Sequence, residues 1–228
     1  MNPTPRQRAR AQAIEDIKRI AREQLASEGS AALSLRAIAR ELGIVSSAVY
    51  RYVPSRDDLL TMLIVDAYNS LGEAVEEAET RCPREDLLSR WRAIGLAVRE
   101  WAVARPAEYA LLYGSPVPGY HAPVEQTGDP GTRVMMLVVA LLVDIQRGSP
   151  PTKVDGVLGR DLTAVREAVA VEVGEEVLAR GYLAWTSMFG LVSFEVFGQY
   201  NGSFSDFAAH FAYQLDRIAL GVLGLSTT

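Results

Sequence analysis

Cysteine is nearly absent from this chain. Cys82 stands alone among 228 residues, so no internal disulfide and no zinc cluster of several cysteines can form. That suits a reducing cytoplasm. The two histidines, His121 and His210, lie far apart without a carboxylate at a metal-ligand spacing, so no metal is expected. No Gly-rich stretch has the spacing that cradles a phosphate, and no serine sits in a nucleophile elbow with partners. The residues therefore form no catalytic constellation: an enzyme is not expected, and no cofactor is implied. Long apolar runs are missing too. The most apolar stretch, Val134 to Val143, is about half the length that crosses a hydrocarbon layer of roughly 30 Å. The N-terminal MNPTPRQRARAQ is basic but no apolar segment follows, so it is not a signal peptide and no membrane is expected as a partner. Strand-period alternation and internal repeats are lacking as well. Positive charge is in deficit overall, with a net charge of −5, which argues against a protein that coats nucleic acid generally.

What is present is helical. Apolar residues make up 49% and charged residues 22%, an ordinary globular balance in a chain long enough for one or two domains. The charge is unevenly placed. Residues 1–60 hold ten Lys or Arg against seven Asp or Glu, a balance of +3, and the remainder carries 13 − 21 = −8. A basic head on an acidic body fits a DNA-reading domain joined to something that does not touch DNA; chance asymmetry on solvated helix faces is the plain alternative.

Helical periodicity sets out the chain in order. Residues 1–7 read as a mobile arm in which Arg6, like Arg8 and Arg10 beyond it, can reach a groove or phosphate, though solvation accounts for them equally well. A first helix over 8–28 turns Ile14, Ile17, Ala21 and Leu25 inward and ends at Gly29. A long helix follows Ser55 to about Thr80, and Cys82-Pro83 marks a break. The expected domains are 1–55, a connecting helix over 56–80, and a body over 81–228. In the body, helices are expected over 84–104, 106–113 and 132–147. Further ones are expected over 161–170, capped by Asp161, and over 174–200 and 203–223. The Pro- and Gly-rich stretches 114–131 and 148–159 read as loops. Glu172, Glu175 and Glu176 are explained by the dipole of the helix they open.

The stretch LSLRAIARELGIVSSAVYRYVPSRDDLL, from Leu33 to Leu60, is the most informative. Ser34 is placed to cap a helix whose inner face is Leu35, Ile38, Ala39 and Leu42; Gly43 suits its left-handed end. Ser46 and Ser47 restart a helix, Pro54 stops it, and Ser55 caps the next with an acidic residue at the third position. Two short helices joined by a Gly-containing turn form the unit that lays its second helix in a DNA major groove. The pattern Ile38-Ala39, Leu42-Gly43-Ile44, Val49-Tyr50, Tyr52-Val53, Arg56 and Leu59-Leu60 closely resembles the DNA-binding signature of the tetracycline-repressor (TetR) family. The later segments WRAIGLAVREWAVARPAEYALLYGSPVPGYHAP and WTSMFGLVSFEVFG resemble the body of the class labelled WHG, which has a His where this chain has Phe189 before Gly190. The resemblance implies an all-α fold: an N-terminal three-helix helix-turn-helix domain and a larger C-terminal helical domain for ligand binding and dimerisation. It also makes the helix after Ser55 the transmitter between them.

The candidate DNA-contacting residues are Ser34, Arg36, Ser46, Ser47, Ala48, Tyr50, Arg51, Tyr52 and Arg56. Hydroxyls and guanidiniums address base edges and phosphates, and Ala48 is of a kind that meets a thymine methyl. Tyr50 and Tyr52 resemble backbone contacts; Arg36 and Arg56 resemble phosphate clamps. Tyr50 as a half-buried packing tyrosine, and Arg51 as a solvated arginine, are the alternatives. In the body, Trp91, Trp101, Tyr109, Tyr113, Met135, Met136, Trp185 and Met188 suit an adaptable cavity for an unknown small apolar or amphipathic ligand, or else plain core. Phe189, Phe194, Phe197, Phe204, Phe207 and Phe211 load the last two helices with apolar surface that a second copy can cover, with His210 at that seam. The function implied is a homodimeric regulator, more often a repressor, which binds palindromic double-stranded operator DNA and is released by the ligand. The rival is an all-helical ligand-binding or scaffold protein without sequence-specific DNA binding.

Overall fold

The computed structural model describes residues 4–147 and 149–226, and all regular structure among them is helical. Residues 1–3 of the expected arm lie outside the described residues. From Thr4 on there is no arm. Thr4 and Gln7 form a reciprocal capping box, and Pro5 opens the first helix, α1 (Pro5–Glu28). Then follow α2 (Leu35–Glu41), α3 (Ser46–Tyr50), α4 (Arg56–Thr80), α5 (Leu87–Ala104) and α6 (Pro106–Tyr113). The chain continues through α7 (Val124–Gln146), α8 (Gly156–Ala168), α9 (Glu175–Val196) and α10 (Phe207–Ile218), and ends in a π-turn over Ala219–Leu223. No helix among the described residues is long and apolar enough to cross a membrane.

Three expectations about elements are corrected. The stretch expected to be loop up to residue 131 is helical from Val124, with Pro130 inside α7. Next, α8 starts at Gly156, so Asp161 lies within the helix and caps nothing; Glu175 pins the start instead, accepting from the Val154 amide and the Thr163 hydroxyl, both at 2.8 Å. Finally, α10 begins at Phe207 rather than 203, with Asp206 capping the Ala209 amide at 2.9 Å.

The described residues form two compact units that do not follow chain order. One takes the chain up to Ser70 together with Arg105–Gly131; the other takes Leu71–Ala104 together with the chain from Thr132 onward. Of the three divisions, two fall inside long helices, α4 and α7, and the third between α5 and α6; none is at residue 80.

In the first unit, Ile17, Ile20, Ala21 and Leu25 of α1 close over Leu35, Ile38 and Ala39 of α2, Val49 and Val53, and Leu59, Leu60 and Leu63 of α4. Two short helices bury too little surface to hold themselves, and α1 with α4 supplies the rest. Charge fastens the same helices. Asp66 takes Lys18 at 2.8 Å and Arg22 at 2.6 Å. Burial alone would lower the Lys18 ammonium, but its bonds to Asp66 and Glu15 more than reverse this and raise it, so it stays charged.

In the second unit, Trp91 is fully buried and donates its indole N–H to the Leu215 carbonyl at 3.0 Å, tying α5 to α10. The close approach of α7 and α9 needs Gly181, because a Cβ there would overlap Leu142. Arg90 is buried between Glu79, at 2.6 Å, and Asp144, at 2.7 Å. Arg84 and Arg147 reach the same Asp144 carboxylate from outside, at 3.0 and 2.6 Å.

Candidate nucleic-acid interface and body cavity

The turn before α3 is set by backbone chemistry. Gly43 holds φ +67°, the left-handed value that closes a helix, and the Ile44 amide donates back to the Ala39 carbonyl at 3.0 Å. Ser34 caps α2 by accepting from the Ala37 amide at 3.3 Å, and Ser55 caps α4 by accepting from the Asp58 amide at 3.0 Å. Only five residues long, α3 is oriented by two fully buried side chains, Val49 on it and Val53 just after it.

That orientation sorts the candidates. Ser47, Tyr50 and Arg51 face solvent, and Ser46 is half-buried. Arg51 has no ion pair among the described residues, so its guanidinium can address DNA. Arg36, on α2, is also exposed. Ala48 does not join them. It is half-buried, which takes it out of the row facing solvent, and it lines a groove of about 360 Å³ with Ala13, Asp16 and Ile17 of α1 that the exposed Arg51 also borders. Tyr52 lines the same groove under the Arg10 guanidinium, 5.6 Å from the ring centre. Arg56 is partly engaged: it donates to the Ser30 carbonyl at 2.8 Å and stands 3.7 Å from Asp57. Sequence reasoning missed Val45, which is 70% exposed immediately before α3. Its only signal was an apolar residue where a cap belongs.

A chain with this turn, this core and this exposed row on α3 invites comparison with known proteins. Residues 18–63 match the family model of bacterial regulatory proteins of the tetR family, and residues 91–218 match a tetracyclin repressor-like C-terminal domain. The chain belongs to the TetR family. An HTH-type transcriptional regulator of Mycobacterium tuberculosis is 44% identical over 199 residues, covering 86% of this chain and 85% of its own length. The Mycobacterium bovis protein described in the same terms matches equally. Among solved structures, the regulatory protein SCO4313 superposes with a TM-score of 0.79 at 34% identity, over 94% of this chain and 98% of its own. PfmR of Thermus thermophilus, a TetR-family regulator, has a TM-score of 0.56 at 16% identity over 92% of this chain and 99% of its own, which shows the fold alone. This TetR-family chain is thus a DNA-binding transcriptional regulator, and the reading as a scaffold without DNA binding is set aside.

The eight body candidates divide between the units. Tyr109 and Tyr113 lie in the first, with ring centres 5.2 Å apart and Tyr68 edge-on to Tyr113 at 6.3 Å. Burial above all, then the neighbouring phenols, pushes the Tyr113 hydroxyl far above its ordinary range, so it stays neutral. The other six lie in the second unit. Trp91, Trp101 and Met188 are buried core, and Met136 faces solvent. Met135 and Trp185 alone among the candidates line an apolar cavity of about 50 Å³, with Val138, Val139 and Leu142 of α7, Val165 and Val169 at α8, and Leu178, Gly181 and Tyr182 of α9.

The six phenylalanines divide as well. Phe211 is 1% exposed, its ring under the Arg99 guanidinium, and Phe189 is buried with its ring 4.4 Å from Trp185; neither is open to a second copy. Phe207 is half-buried, and Phe204 stacks on His210 with ring centres 3.8 Å apart. Phe194 on α9 and Phe197 at its end stay open, and Leu183 of α9 and Tyr213 of α10 are open too, though unforeseen from sequence.

Proposed function

We propose that this regulator is a homodimeric repressor that places α3 of each subunit in successive major grooves of a palindromic operator and is released when a small apolar molecule enters the body. The observation that carries the reading is the exposed row of Ser47, Tyr50 and Arg51 on a helix fixed from behind by Val49 and Val53. A helix held this way presents its polar side chains from a backbone that needs no ordering on arrival. Two-fold symmetry then requires a palindrome. Such a protein works in the bacterial cytoplasm, where its operator is.

The cavity beside Trp185 supports an apolar ligand, since no charged group lines it. At about 50 Å³ it is far below the roughly 300–1,000 Å³ of a drug-sized site, so entry requires Trp185 or Tyr182 to swing aside. A ligand that prefers the opened body by roughly 1–3 kcal/mol suffices to shift operator occupancy.

The test is fluorescence anisotropy with operator DNA at several salt concentrations. Arg51→Ala is expected to weaken binding roughly fivefold or more and, if Arg51 meets phosphate, to make the salt dependence shallower. Affinity unchanged within about twofold removes Arg51 from the interface.

A further inference from the structure

The residue before α3 is chosen against the interests of the helix. Val45 has the extended backbone of an N-cap, φ −69° and ψ 142°, yet no side-chain cap bond is made there. Helices take Ser, Thr, Asp or Asn at this position because the side-chain oxygen accepts a free amide; valine cannot. Serines are at hand, but Ser46 and Ser47 stand one and two positions too late. A helix of five residues is where a missing cap matters most.

Nor does Val45 serve the core. It is 70% exposed, against 40% for Ile44 and 43% for Tyr50 beside it. Ile44 and Ala48 turn into the groove with α1, and Val45 is not among the residues lining that groove. An apolar side chain thus stands outward at the leading end of the helix that enters DNA, where the cap is forgone to keep it.

We propose that Val45 is a specificity-determining residue that packs on the C5-methyl of a thymine at one position of each operator half-site. The proposal rests on the reading of α3 as the element in the major groove. Thymine presents a methyl group on its major-groove edge, whereas cytosine presents an amine donor. Valine matches the first and leaves the second without an acceptor, so it selects T over C by attraction and by exclusion.

Replacing thymine with deoxyuridine removes that methyl and nothing else. An operator is first selected from randomised duplexes with the full-length chain, and each thymine is then replaced singly by deoxyuridine. For the wild-type chain, one position per half-site is expected to lose roughly fourfold in affinity, the equivalent of one buried methyl. For Val45→Ser that position is expected to become insensitive, and the variant's melting temperature to rise because a cap has been restored. A wild-type scan with no sensitive position overturns the proposal, as does a position equally sensitive in Val45→Ser, or a fall in the variant's melting temperature. Failure of the selection to yield any preferred sequence is a different result, visible before deoxyuridine is introduced: it overturns DNA reading by α3 and this proposal with it.

Discussion

Gly43 has no neighbour within 4 Å of where a Cβ would stand, so its demand for glycine is purely one of backbone. Its φ of +67° costs an L-residue about 1 kcal/mol, less for asparagine, whose side chain tolerates this region. Gly43→Ala is therefore expected to destabilise the first unit by about 1 kcal/mol and Gly43→Asn by clearly less, measured by urea unfolding; equal losses would show that the turn relaxes out of the left-handed region. This residue, with Ser34 and Ser55, was legible in the sequence because caps and turns depend on neighbours a few positions away. Ala48 was not. Which face of a five-residue helix looks inward is decided by α1, thirty residues upstream, through the groove at Ala13 and Ile17.

Long helices with an apolar stripe, such as α1 and α4, were readable for the same reason that they form: their periodicity is what they bury. The start of α7 hid because its local signals contradict its packing. Pro130 removes one amide and Gly128 and Gly131 favour turns, yet the bare backbone at Gly131 lies where a Cβ would be 3.4 Å from the Tyr68 ring. That close packing outweighs propensity. Between elements, one tie is ionic. Burial alone would raise Asp144, but the guanidiniums of Arg90 and Arg84 more than reverse this and hold it below the usual carboxylate range. A carboxylate depressed in the folded state adds stability that is present above its unfolded pKa and lost as pH falls through the folded one. Asp144→Asn leaves Arg90 buried with Glu79 as its remaining carboxylate partner, and is expected to cost about 3 kcal/mol at neutral pH. Below about pH 4 the difference from wild type should begin to narrow, because the unfolded chain binds a proton at Asp144 before the folded one does. A gap that stays constant from pH 7 to pH 3 would show that the carboxylate's charge is not what Asp144 contributes.

At the scale of the molecule, the chain passes three times between its two units, which no local pattern announces; composition and periodicity describe segments, whereas a unit assembled from 4–70 and 105–131 exists only through contacts. The apolar surface proposed as a dimer seam illustrates the same limit. Six phenylalanines marked the last two helices, but only packing reveals that Phe189 and Phe211 face inward while Leu183 and Phe194 on α9, and Phe197 just after it, face out. The exposed three recur at helical spacing around Gly190, where nothing lies within 4 Å of a Cβ, so a second helix can approach closely. Apolar surface of that kind is costly to leave in water, and a standard interface of roughly 800 Å² per partner is enough to cover it. Charges placed on this stripe should therefore separate the subunits without unfolding them, since both positions face solvent within the subunit. Leu183→Glu with Phe194→Glu is expected to sediment at the 24.9 kDa of one chain, to keep its helical circular dichroism, and to bind a full operator at least tenfold more weakly because the half-sites are no longer bound in pairs. A double variant that still sediments as a dimer would place the seam elsewhere on the body.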